Sequence, residues 1–600
     1  MRNPYGGIER SPPCRPWFLS LDAIIGINNC TLTFADPLAI IRVGSADDLF
    51  AAVDDIEVAL RAGCHVAGYF SYELGYLLEP KLAHHLPEAR DIPLLWAGVF
   101  EEPRQDLDSS ARSEHASGRA YAGPLRYEWN EEEYRERFHK VRELIAAGEL
   151  YQVNLTFRSD FTFAGSPLAL YGRLRKHAAA PYSAFVNDGE RQILSLSPEL
   201  FFSISADGDI TARPMKGTAP RGHDAASDEQ SKESLRASAK ERAENLMIVD
   251  LMRNDLGRIC ELGSVHVPEL FTVESYPTVH QMVSTVRGKL RQTTRPREIL
   301  KALFPCGSVT GTPKIRAMEI IRELEQSSRG AYCGAVGYFA PNGSAQFNVA
   351  IRTITIRRDR GSLGLGGAVV QDSLAESEYA ECLLKARYFT EARRPIELIE
   401  TLQWSPQEGF TRLNLHLARL ARSAEVFGLS FAREAALRLL REAVHTANPL
   451  RVRLTLSEMG ELNVGAAQLE EPPANWRFSL SQERTFSGDL LLQHKTNWRD
   501  LYEQEYAKAK AMGYNEAVFL NERGEITEGS RTNIFVVTDG GDMVTPPLSS
   551  GLLNGCLRHE LLEEGRFQER ALCPADLVRA KKIYLGNSLR GLILARLATS

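Results

Sequence analysis

The chain has 600 residues, of which 44% are hydrophobic and 25% are charged, and its formal net charge is −6. A chain of this length exceeds what one hydrophobic core supports, so we expect at least two domains. It contains no basic stripe and no run of about 18 apolar residues, which argues against a nucleic-acid partner and against a membrane-spanning helix.

The nine cysteines form no C-x-x-C pair, and the first residues contain no apolar signal-peptide core. This pattern predicts reduced thiols, with no disulfide framework and no zinc site. We therefore expect a protein that is not exported, does not contact a membrane and resides in the cytoplasm.

The polar run EEPRQDLDSSARSEHASGRAYAG, residues 101–123, is predicted to be a surface loop. Asn130 and Glu133 then form a capping-box pattern, which predicts a helix that ends near Gly148. The following run YQVNLTFRSDFTF alternates in polarity and predicts a strand. Its polar face begins at Gln152 and could line a site.

Between residues 180 and 375, strand-like runs occur in RQILSLSPELFFSIS, AYCGAVGYFA, AQFNVAIRTITI and GSLGLGGAVV, separated by two helical segments. We predict an α+β fold class, with a large sheet-rich domain over residues 1–394 that includes the polar loop. Residues 395–600 contain their own helices and strands and predict a second α+β domain.

Lys216 lies in DITARPMKGTAPRG, a run of proline, glycine and threonine that is typical of a surface turn. Most lysines in such turns face water. Taken alone, the pattern favours a solvated side chain, and a functional lysine stays the alternative.

Two predicted helices each offer a pair of carboxylates on one face. Glu241 and Glu244 lie in KERAENLMIVDLMRNDLGR, and Glu378 and Glu381 lie in ESEYAECLLKAR. Carboxylates from two helices could hold one Mg²⁺. Glu381 with Lys385 could equally be an ordinary surface ion pair at i,i+4, so the spacing leaves both interpretations open.

The motifs SPELFF, PMKGTAPRG, RAENLMIVDLMRNDLGR, FPCGSVTGTPKIRAMEII, AYCGAVGYF, FNVAIRT and EYAECLLKAR occur in this order. In order and spacing they resemble the chorismate-utilising enzymes over about residues 10 to 390. This family includes the large subunits of anthranilate synthase and aminodeoxychorismate synthase, and the isochorismate and salicylate synthases. The resemblance implies that the first domain binds chorismate.

The resemblance also implies roles for individual residues. Glu244 and Glu381 would be Mg²⁺ ligands, and Glu378 would assist through water. Glu199 would be the general acid that protonates the leaving 4-hydroxyl of chorismate, which requires burial to raise its pKa. The implied substrate contacts are Arg352 and Tyr332 on a carboxylate, His280, and the backbone N–H groups around Gly366 and Gly367.

Two positions separate the chemistries within this family. Isochorismate and salicylate synthases have a water-activating lysine where this chain has Gln152. Anthranilate synthases have a small residue where this chain has Lys216, whereas aminodeoxychorismate synthases have lysine. The resemblance thus implies that Lys216 attacks C2 of chorismate, and that ammonia then adds at C4 to give 4-amino-4-deoxychorismate.

The ammonia for this reaction needs a source. The glycine-flanked cysteine G-x-C-x-G of glutamine amidotransferases occurs around none of the nine cysteines. We therefore expect a separate glutamine amidotransferase subunit as partner, with free ammonia as a substitute.

The motifs HLARLARSAEVFG, EAVFLNERGEITEGSRTNIFVV, SSGLLNGCLRHELL and YLGNSLRGL resemble the fold-type IV pyridoxal phosphate enzymes over about residues 396 to 600. The resemblance implies that Lys495 bonds covalently to the cofactor and also acts as the catalytic base, and that Glu528 contacts the pyridine nitrogen. Its phosphate group would bind to Arg419, to the N–H groups of Cys556 and Leu557, and to the Ser588 hydroxyl.

Among these enzymes, aminodeoxychorismate lyase would convert the product of the first domain into 4-aminobenzoate and pyruvate. This chain departs from the S-R-G stretch of stand-alone lyases, because Ser457, Glu458 and Met459 stand there. Arg451 or Arg453 could bind the substrate carboxylate instead.

Two other readings of the chain as a whole remain. One is an anthranilate-type synthase fused to a fold-type IV aminotransferase. The other is a non-catalytic scaffold that docks a glutaminase. A homodimer through the second domain is left open.

Overall fold

The computed structural model describes residues 22–27, 30–106, 119–178, 180–276, 279–470, 473 and 475–598. The chain divides into two compact units: the first ends at Ala392 and the second begins at Arg393. This boundary lies two residues before the predicted one. Residues 119–123 and 162–170 also belong to the second unit, although we predicted all of residues 1–394 to form the first domain.

The helices are α1 (Leu49–Arg61), α2 (Leu74–Leu78), α3 (Glu131–Ala146), α4 (Pro167–Ala178), α5 (Ala225–Ala237), α6 (Ala239–Gly257), α7 (Pro296–Leu303), α8 (Lys314–Leu324), α9 (Ala375–Lys385), α10 (Arg387–Thr390), α11 (Leu413–Phe427), α12 (Arg433–Glu442), α13 (Asp500–Ala511), α14 (Cys556–Glu563) and α15 (Pro574–Arg579).

The strands before Ala392 are β1 (Asp22–Ile27), β2 (Cys30–Phe34), β3 (Ala39–Val43), β4 (His65–Phe70), β5 (Leu95–Phe100), β6 (Arg104–Asp106), β7 (Ala120–Ala122), β8 (Arg126–Tyr127), β9 (Gln152–Gly165), β10 (Tyr182–Asn187), β11 (Gln192–Ser197), β12 (Leu200–Ile204), β13 (Asp209–Arg213), β14 (Met215–Pro220), β15 (His266–Ser275), β16 (Val279–Lys289), β17 (Gly311–Thr312), β18 (Ala335–Phe339), β19 (Ala345–Val349), β20 (Thr353–Arg357) and β21 (Arg360–Val369).

The strands after Arg393 are β22 (Glu397–Ser405), β23 (Gly409–Phe410), β24 (Leu450–Ser457), β25 (Leu462–Gln468), β26 (Asn475–Thr485), β27 (Glu516–Asn521), β28 (Ile526–Gly529), β29 (Asn533–Val537), β30 (Met543–Thr545), β31 (Gln568–Glu569), β32 (Lys582–Asn587) and β33 (Gly591–Leu597).

Two large sheets dominate the first unit. One runs in the order β17-β9-β21-β20-β11-β10-β1-β2-β6, and the other runs β14-β16-β13-β12-β19-β18-β4-β5-β3. The pairs whose register is described in these two sheets are antiparallel, as between β10 and β11. The predicted strands between residues 180 and 375 appear here as β11, β12 and β18 to β21, so the sheet-rich prediction is confirmed.

Helix α3 begins where the sequence predicted. The Asn130 side chain accepts hydrogen bonds from the backbone N–H groups of Glu132 and Glu133, and the Glu133 carboxylate accepts one from the Asn130 N–H. The buried residues of α3 include Tyr134 and Phe138, at the predicted helical spacing. The capping box therefore fixes the start of this helix.

The second unit contains two sheets, ordered β23-β22-β24-β25 and β28-β27-β26-β33-β32-β29-β30-β31. Its α11 buries Leu417 and Leu420 against the apolar face of β24, which alternates buried Val452 and Leu454 with exposed arginines. This arrangement places the first turns of α11 beside β22.

The predicted surface loop over residues 101–123 is partly wrong. Residues 107–118 lie outside the described residues, but β6 pairs with β2, and β7 is buried and pairs with β9. The reason is the composition of its end, because Ala120, Tyr121 and Ala122 form a short apolar strand. The Tyr121 ring packs against Phe427 and Trp498 of the second unit.

Among the described residues, no helix combines the length and the apolar character that crossing a bilayer requires.

Candidate active sites

A cavity of about 220 Å³ in the first unit brings together residues that are distant in sequence. Strand β14 contributes Lys216, α6 contributes Glu244, and α9 contributes Glu381. Glu199 lines the same cavity from the turn between β11 and β12. The predicted acid, the predicted nucleophile and two predicted metal ligands therefore face one space.

Glu199 has the environment that a general acid needs. Its side chain is buried, and its Oε1 atom has no hydrogen-bond partner among the described residues. Burial raises the pKa of Glu199 to about 7, although a hydrogen bond with Ser308 and the charge of Lys216 lower it. A carboxyl group with this pKa is about half protonated at pH 7, so it can act as an acid near neutral pH.

Lys216 is not a solvated surface lysine. Burial lowers its pKa, while the carboxylate of Glu244 acts in the opposite direction. The next residue, Gly217, has φ +96°, and a Cβ atom there would lie 3.0 Å from Glu241 Oε2. The glycine thus permits a backbone conformation and a close approach that other residues would not.

Four carboxylates on two helices line this cavity: Glu241 and Glu244 of α6, and Glu378 and Glu381 of α9. Burial and then the Glu244 carboxylate raise the pKa of Glu241. Burial raises the pKa of Glu378, opposed by its hydrogen bond with Ser373. A cluster of mutually repelling oxygen donors suits a hard divalent cation, so the donor set fits Mg²⁺.

The predicted i,i+4 ion pair is also present. Lys385 Nζ lies 2.9 Å from Glu381 Oε1, and it also donates a 2.9 Å hydrogen bond to the Gly366 carbonyl. The charge of Lys385 lowers the pKa of Glu381. The pair belongs to the cavity wall, so it keeps Glu381 ionised at the place where a cation would bind.

Arg352 and Tyr332 line the cavity as predicted. Burial lowers the pKa of Arg352, and the groups that oppose this change are Tyr388 and Tyr276, which are not carboxylates. Burial also raises the pKa of Tyr332. A buried guanidinium without a carboxylate among these neighbours is suited to an anionic ligand.

His280 does not line the cavity. In β16 its neighbours Val279 and Gln281 line it, and His280 faces the opposite side of the strand because successive side chains alternate. Its Nδ1 lies 2.9 Å from Ser275 Oγ, and its Nε2 lies 3.0 Å from Asp228 Oδ1. The expected contact between His280 and substrate is therefore not formed in this structure.

Gly366 lines the cavity, whereas Gly367 faces α9, where a Cβ atom would lie 3.5 Å from Glu378 Oε2. Gln152 is fully buried at the start of β9, and neither atom of its amide has a partner among the described residues. Two residues further along this strand, Asn154 lines the cavity.

Sequence reasoning missed several residues that line this cavity. Lys240 lies one helical turn before Glu244 in α6, at an Nζ to Oε1 distance of 4.0 Å, and this i,i+4 spacing was a signal that could have identified it. Ser308 and Tyr388 also line the cavity and had no signal in the sequence analysis.

The second unit holds Lys495 inside the protein. Its carbonyl oxygen accepts a 2.8 Å hydrogen bond from the Ile399 N–H of β22. Burial, followed by the charges of Arg419 and Arg499, lowers the pKa of Lys495 to about 8. A lysine with this pKa is more readily available as a neutral amine than a surface lysine.

Glu528 lies in β28 and is buried. Its carboxyl group accepts a 3.0 Å hydrogen bond from the Tyr502 hydroxyl and a 3.4 Å hydrogen bond from Asn533 Nδ2. Burial raises the pKa of Glu528 to about 7, opposed by the charges of Arg499 and Lys495.

A candidate phosphate cup surrounds the start of α14. This helix begins at Cys556, and its first backbone hydrogen bond joins the His559 N–H to the Gly555 carbonyl. The amides of Cys556 and Leu557 therefore belong to the free donors of a helix N-terminus, which attracts anions. Arg419 and Cys556 line a cavity of about 190 Å³ here, so the residues fit a phosphate group.

Arg419 is held by a residue that the sequence analysis missed. Its Nε and Nη2 atoms donate hydrogen bonds of 2.9 and 2.6 Å to the two carboxylate oxygens of Glu400. Burial would raise the pKa of Glu400, but Arg419 and hydrogen bonds from His416 and Arg419 hold it at about 2. Glu400 is therefore a carboxylate.

His416 completes this cluster. Its Nδ1 lies 2.6 Å from Glu400 Oε2, and its Nε2 lies 2.7 Å from the hydroxyl of Ser588. The spacing of three between His416 and Arg419 places both on one face of α11, which was the available sequence signal.

Arg451 and Arg453 are exposed on β24, so their side chains point to solvent and not into the interior of the second unit. Glu458, at the departure from the S-R-G stretch, pairs with Arg393 at 2.5 Å and accepts a 2.9 Å hydrogen bond from the Tyr121 hydroxyl. The altered stretch therefore has a structural role within the second unit.

The chain belongs to the chorismate binding enzymes, whose family model matches residues 43–391. Residues 397–597 match the amino-transferase class IV model. A chorismate-binding domain followed by a class IV domain of mixed helix and sheet confirms the predicted fold class and domain order.

Among curated relatives, the aminodeoxychorismate synthase of Streptomyces pristinaespiralis is 50% identical over 255 residues, covering 42% of this chain and 35% of the relative. The chain thus spans about a third of that relative's length. Aminodeoxychorismate synthase component 1 of Salmonella typhimurium is 39% identical over 378 residues, covering 58% of this chain and 81% of the relative.

A solved structure from Bacillus anthracis, assigned as a 2,3-dihydroxybenzoate-specific isochorismate synthase, is 22% identical with a TM-score of 0.52. It covers 62% of this chain and 95% of its own. At this identity the likeness concerns the fold alone.

Proposed function

We propose that the first unit converts chorismate and ammonia into 4-amino-4-deoxychorismate, and that the second unit releases pyruvate from it to give 4-aminobenzoate. The observation that carries this proposal is the position of Lys216, whose amine lines one cavity with Glu199 and Glu244. An anthranilate-type reaction has no need of a lysine there.

In the first unit, Arg352 and Tyr332 bind one carboxylate of chorismate. Glu244 and Glu381 would hold Mg²⁺, with Glu378 assisting, and the ion would neutralise a second carboxylate of chorismate. These contacts orient the ring, with C2 toward Lys216 and the 4-hydroxyl toward Glu199.

Glu199 donates its proton to the 4-hydroxyl, which leaves as water while the neutral amine of Lys216 bonds to C2. Ammonia then bonds to C4, and the bond between C2 and Lys216 breaks. The proton released by the added nitrogen returns to Glu199. The net change replaces a hydroxyl group by an amine.

In the second unit, pyridoxal phosphate, when bound, would supply an electron sink for the substrate amine. Lys495 would hold the cofactor and would take the C4 proton of the substrate, and its lowered pKa favours the neutral base. Glu528 holds the pyridine nitrogen. Arg419, Ser588 and the N–H groups of Cys556 and Leu557 bind the phosphate.

A glutamine amidotransferase subunit supplies the ammonia. The name component 1, borne by the Salmonella relative, fits a second component. Of the cysteines whose side chains the structure describes, only Cys573 is exposed, and no disulfide is described among them. Reduced thiols fit the cytoplasm as the proposed location.

The deciding experiment incubates the purified chain with chorismate, ammonium, Mg²⁺ and pyridoxal phosphate, and identifies the products by mass. We expect 4-aminobenzoate and pyruvate. Anthranilate would support the rival synthase, 4-amino-4-deoxychorismate alone would contradict the second activity, and unconsumed chorismate would support a scaffold.

A further inference from the structure

His416 lies between Glu400 and Ser588, and the donor and acceptor roles in its two hydrogen bonds are fixed by Glu400. Glu400 is a carboxylate and cannot donate, so Nδ1 of His416 must carry the hydrogen that bonds to Glu400 Oε2 at 2.6 Å. A neutral imidazole then has only a lone pair at Nε2. The Ser588 hydroxyl, 2.7 Å away, must donate its hydrogen to that lone pair.

This polarity conflicts with phosphate binding. Once Ser588 donates to His416, its oxygen would offer only lone pairs to a phosphate bound beside it. A phosphate dianion also presents only acceptors, so the two oxygens would repel each other. Ser588 can donate to the phosphate only when Nε2 of His416 carries a hydrogen and donates to Ser588.

Several charges around the cup are already paired. Glu400 neutralises Arg419 through two hydrogen bonds, and Arg412 is paired with Glu560 at 2.6 Å. Arg422 also lines the cavity and supplies positive charge together with the helix N-terminus. A protonated His416 would add a further positive charge for a phosphate dianion, whereas a neutral His416 adds none.

The charged and titratable groups around His416 come from several elements. Glu400 lies on β22, Arg419 on the same helix as His416, Lys495 after a short turn, and Cys556 at the start of α14. Burial and then the Glu400 hydrogen bond act in opposite directions on the pKa of His416, and the net effect lowers it. Without an anion, the histidine is therefore neutral near pH 7.

The same cluster is not a metal site. Glu400, His416 and Cys556 offer atoms within 4.8 Å of one another. The carboxylate is committed to Arg419, and burial raises the pKa of the Cys556 thiol to about 11, which keeps it protonated. A soft cation would have to displace both arrangements.

We propose that binding of the cofactor phosphate protonates His416, so that the imidazolium lies between the Glu400 carboxylate and Ser588 and makes the serine hydroxyl a donor to the phosphate dianion. The inference rests on the proposed function, because it takes the ligand of this cup to be a pyridoxal phosphate group. The second unit thus takes up one proton for each phosphate that it binds.

The test uses the full chain, stripped of cofactor, and pyridoxamine 5′-phosphate, which cannot bond covalently to Lys495. Calorimetry at pH 8 in buffers with different protonation enthalpies counts the protons taken up on binding. We expect the phosphorylated ligand to take up about one proton more than pyridoxamine. The affinity should fall about tenfold per pH unit above neutrality because of this linked proton.

His416→Gln is the matched variant, because the glutamine amide can donate to Ser588 without titrating. We expect it to bind the phosphorylated ligand with about one proton fewer than the wild-type chain. His445→Gln, at an exposed histidine of the same unit, should leave the count unchanged. Equal proton counts in the wild-type chain and His416→Gln would overturn the inference.

Phosphorus NMR of the bound ligand distinguishes the site of the proton. A dianion signal is expected, because the proton is on His416, whereas a monoanion signal would overturn the proposal. This measurement and the comparison with pyridoxamine need only the wild-type chain. If the phosphorylated ligand does not bind at all, the proposed function of the second unit fails instead.

Discussion

The hydroxyl of Tyr121 donates a 2.9 Å hydrogen bond to Oε1 of Glu458, although 337 positions separate the two residues. Glu458 lies in the stretch where this chain departs from the S-R-G pattern expected of stand-alone lyases. In this chain the position holds the β7 segment within the second unit, so the sequence departure reflects packing.

Tyr121→Phe should destabilise the second unit by about 1–2 kcal/mol, because it removes a hydrogen bond to a largely buried carboxylate but keeps the packed ring. Urea unfolding followed through the cofactor absorbance measures this change. Tyr127→Phe, at an exposed tyrosine, is the control. An unchanged unfolding free energy would mean that Arg393 alone satisfies Glu458.

Lys216→Ala should lower the formation of 4-amino-4-deoxychorismate from ammonia by at least about a hundredfold, since it removes a positioned catalytic group. Chorismate should still bind, as measured by calorimetry. Lys140→Ala, at an exposed lysine of α3, should behave like the wild-type chain. Near-normal turnover of Lys216→Ala would exclude the covalent role.

The rate of chorismate turnover should fall as the pH rises through about 7. Glu199 must hold its proton to act as an acid, and its pKa is about 7. Glu199→Gln should lower turnover by about 10²–10⁴-fold. Its stability at pH 8 should not decrease, because the wild-type chain buries a charged carboxylate there. A turnover that keeps rising above pH 8 would assign the acid elsewhere.

Glu244→Gln or Glu381→Gln should abolish Mg²⁺-dependent chorismate consumption, because each removes an oxygen donor from the cavity. The second unit should still convert added 4-amino-4-deoxychorismate. Glu376→Gln, on the exposed side of α9, is the matched control and should keep full activity. Loss of both activities in the Glu244 and Glu381 variants would indicate misfolding.

Lys495→Ala should remove the visible absorbance of the lysine-bound cofactor, because it removes the amine to which the proposal assigns the covalent bond. With chorismate and ammonia, this variant should accumulate 4-amino-4-deoxychorismate. Lys508→Ala, at an exposed lysine of α13, should form 4-aminobenzoate normally. Continued 4-aminobenzoate formation by Lys495→Ala would remove Lys495 from the mechanism.

The predictable parts of the molecule are those with local signals. The capping box of α3 and the alternating polarity of YQVNLTFRSDFTF in β9 are signals carried by neighbouring residues, so these elements could be predicted from the sequence. The cavity residues Glu199, Lys216, Glu244 and Glu381 came from motifs that the resemblance recognised, and the structure places all four together.

What could not be predicted depends on contacts between distant residues. The role of Glu400 depends on its hydrogen bonds with Arg419 and His416, which form only in the folded unit. His280 was expected at the substrate, but the alternation of β16 turns it away from the cavity. A sequence motif identifies the residue, but the direction of its side chain depends on its position in the strand.

The assignment of residues 119–123 to the second unit has a consequence for the synthesis of the chain. Arg119 pairs with Asp489, 370 positions later, at 2.8 Å. At roughly 5–20 residues per second, a ribosome takes about 20–75 s to translate the chain between them. The early segment is therefore made before the rest of the first unit, residues 124–161 and 171–392, and before its partner Asp489. If the gene were divided at residue 392, residues 119–123 would be made on a different polypeptide from the rest of the second unit. The two polypeptides would then have to associate by diffusion.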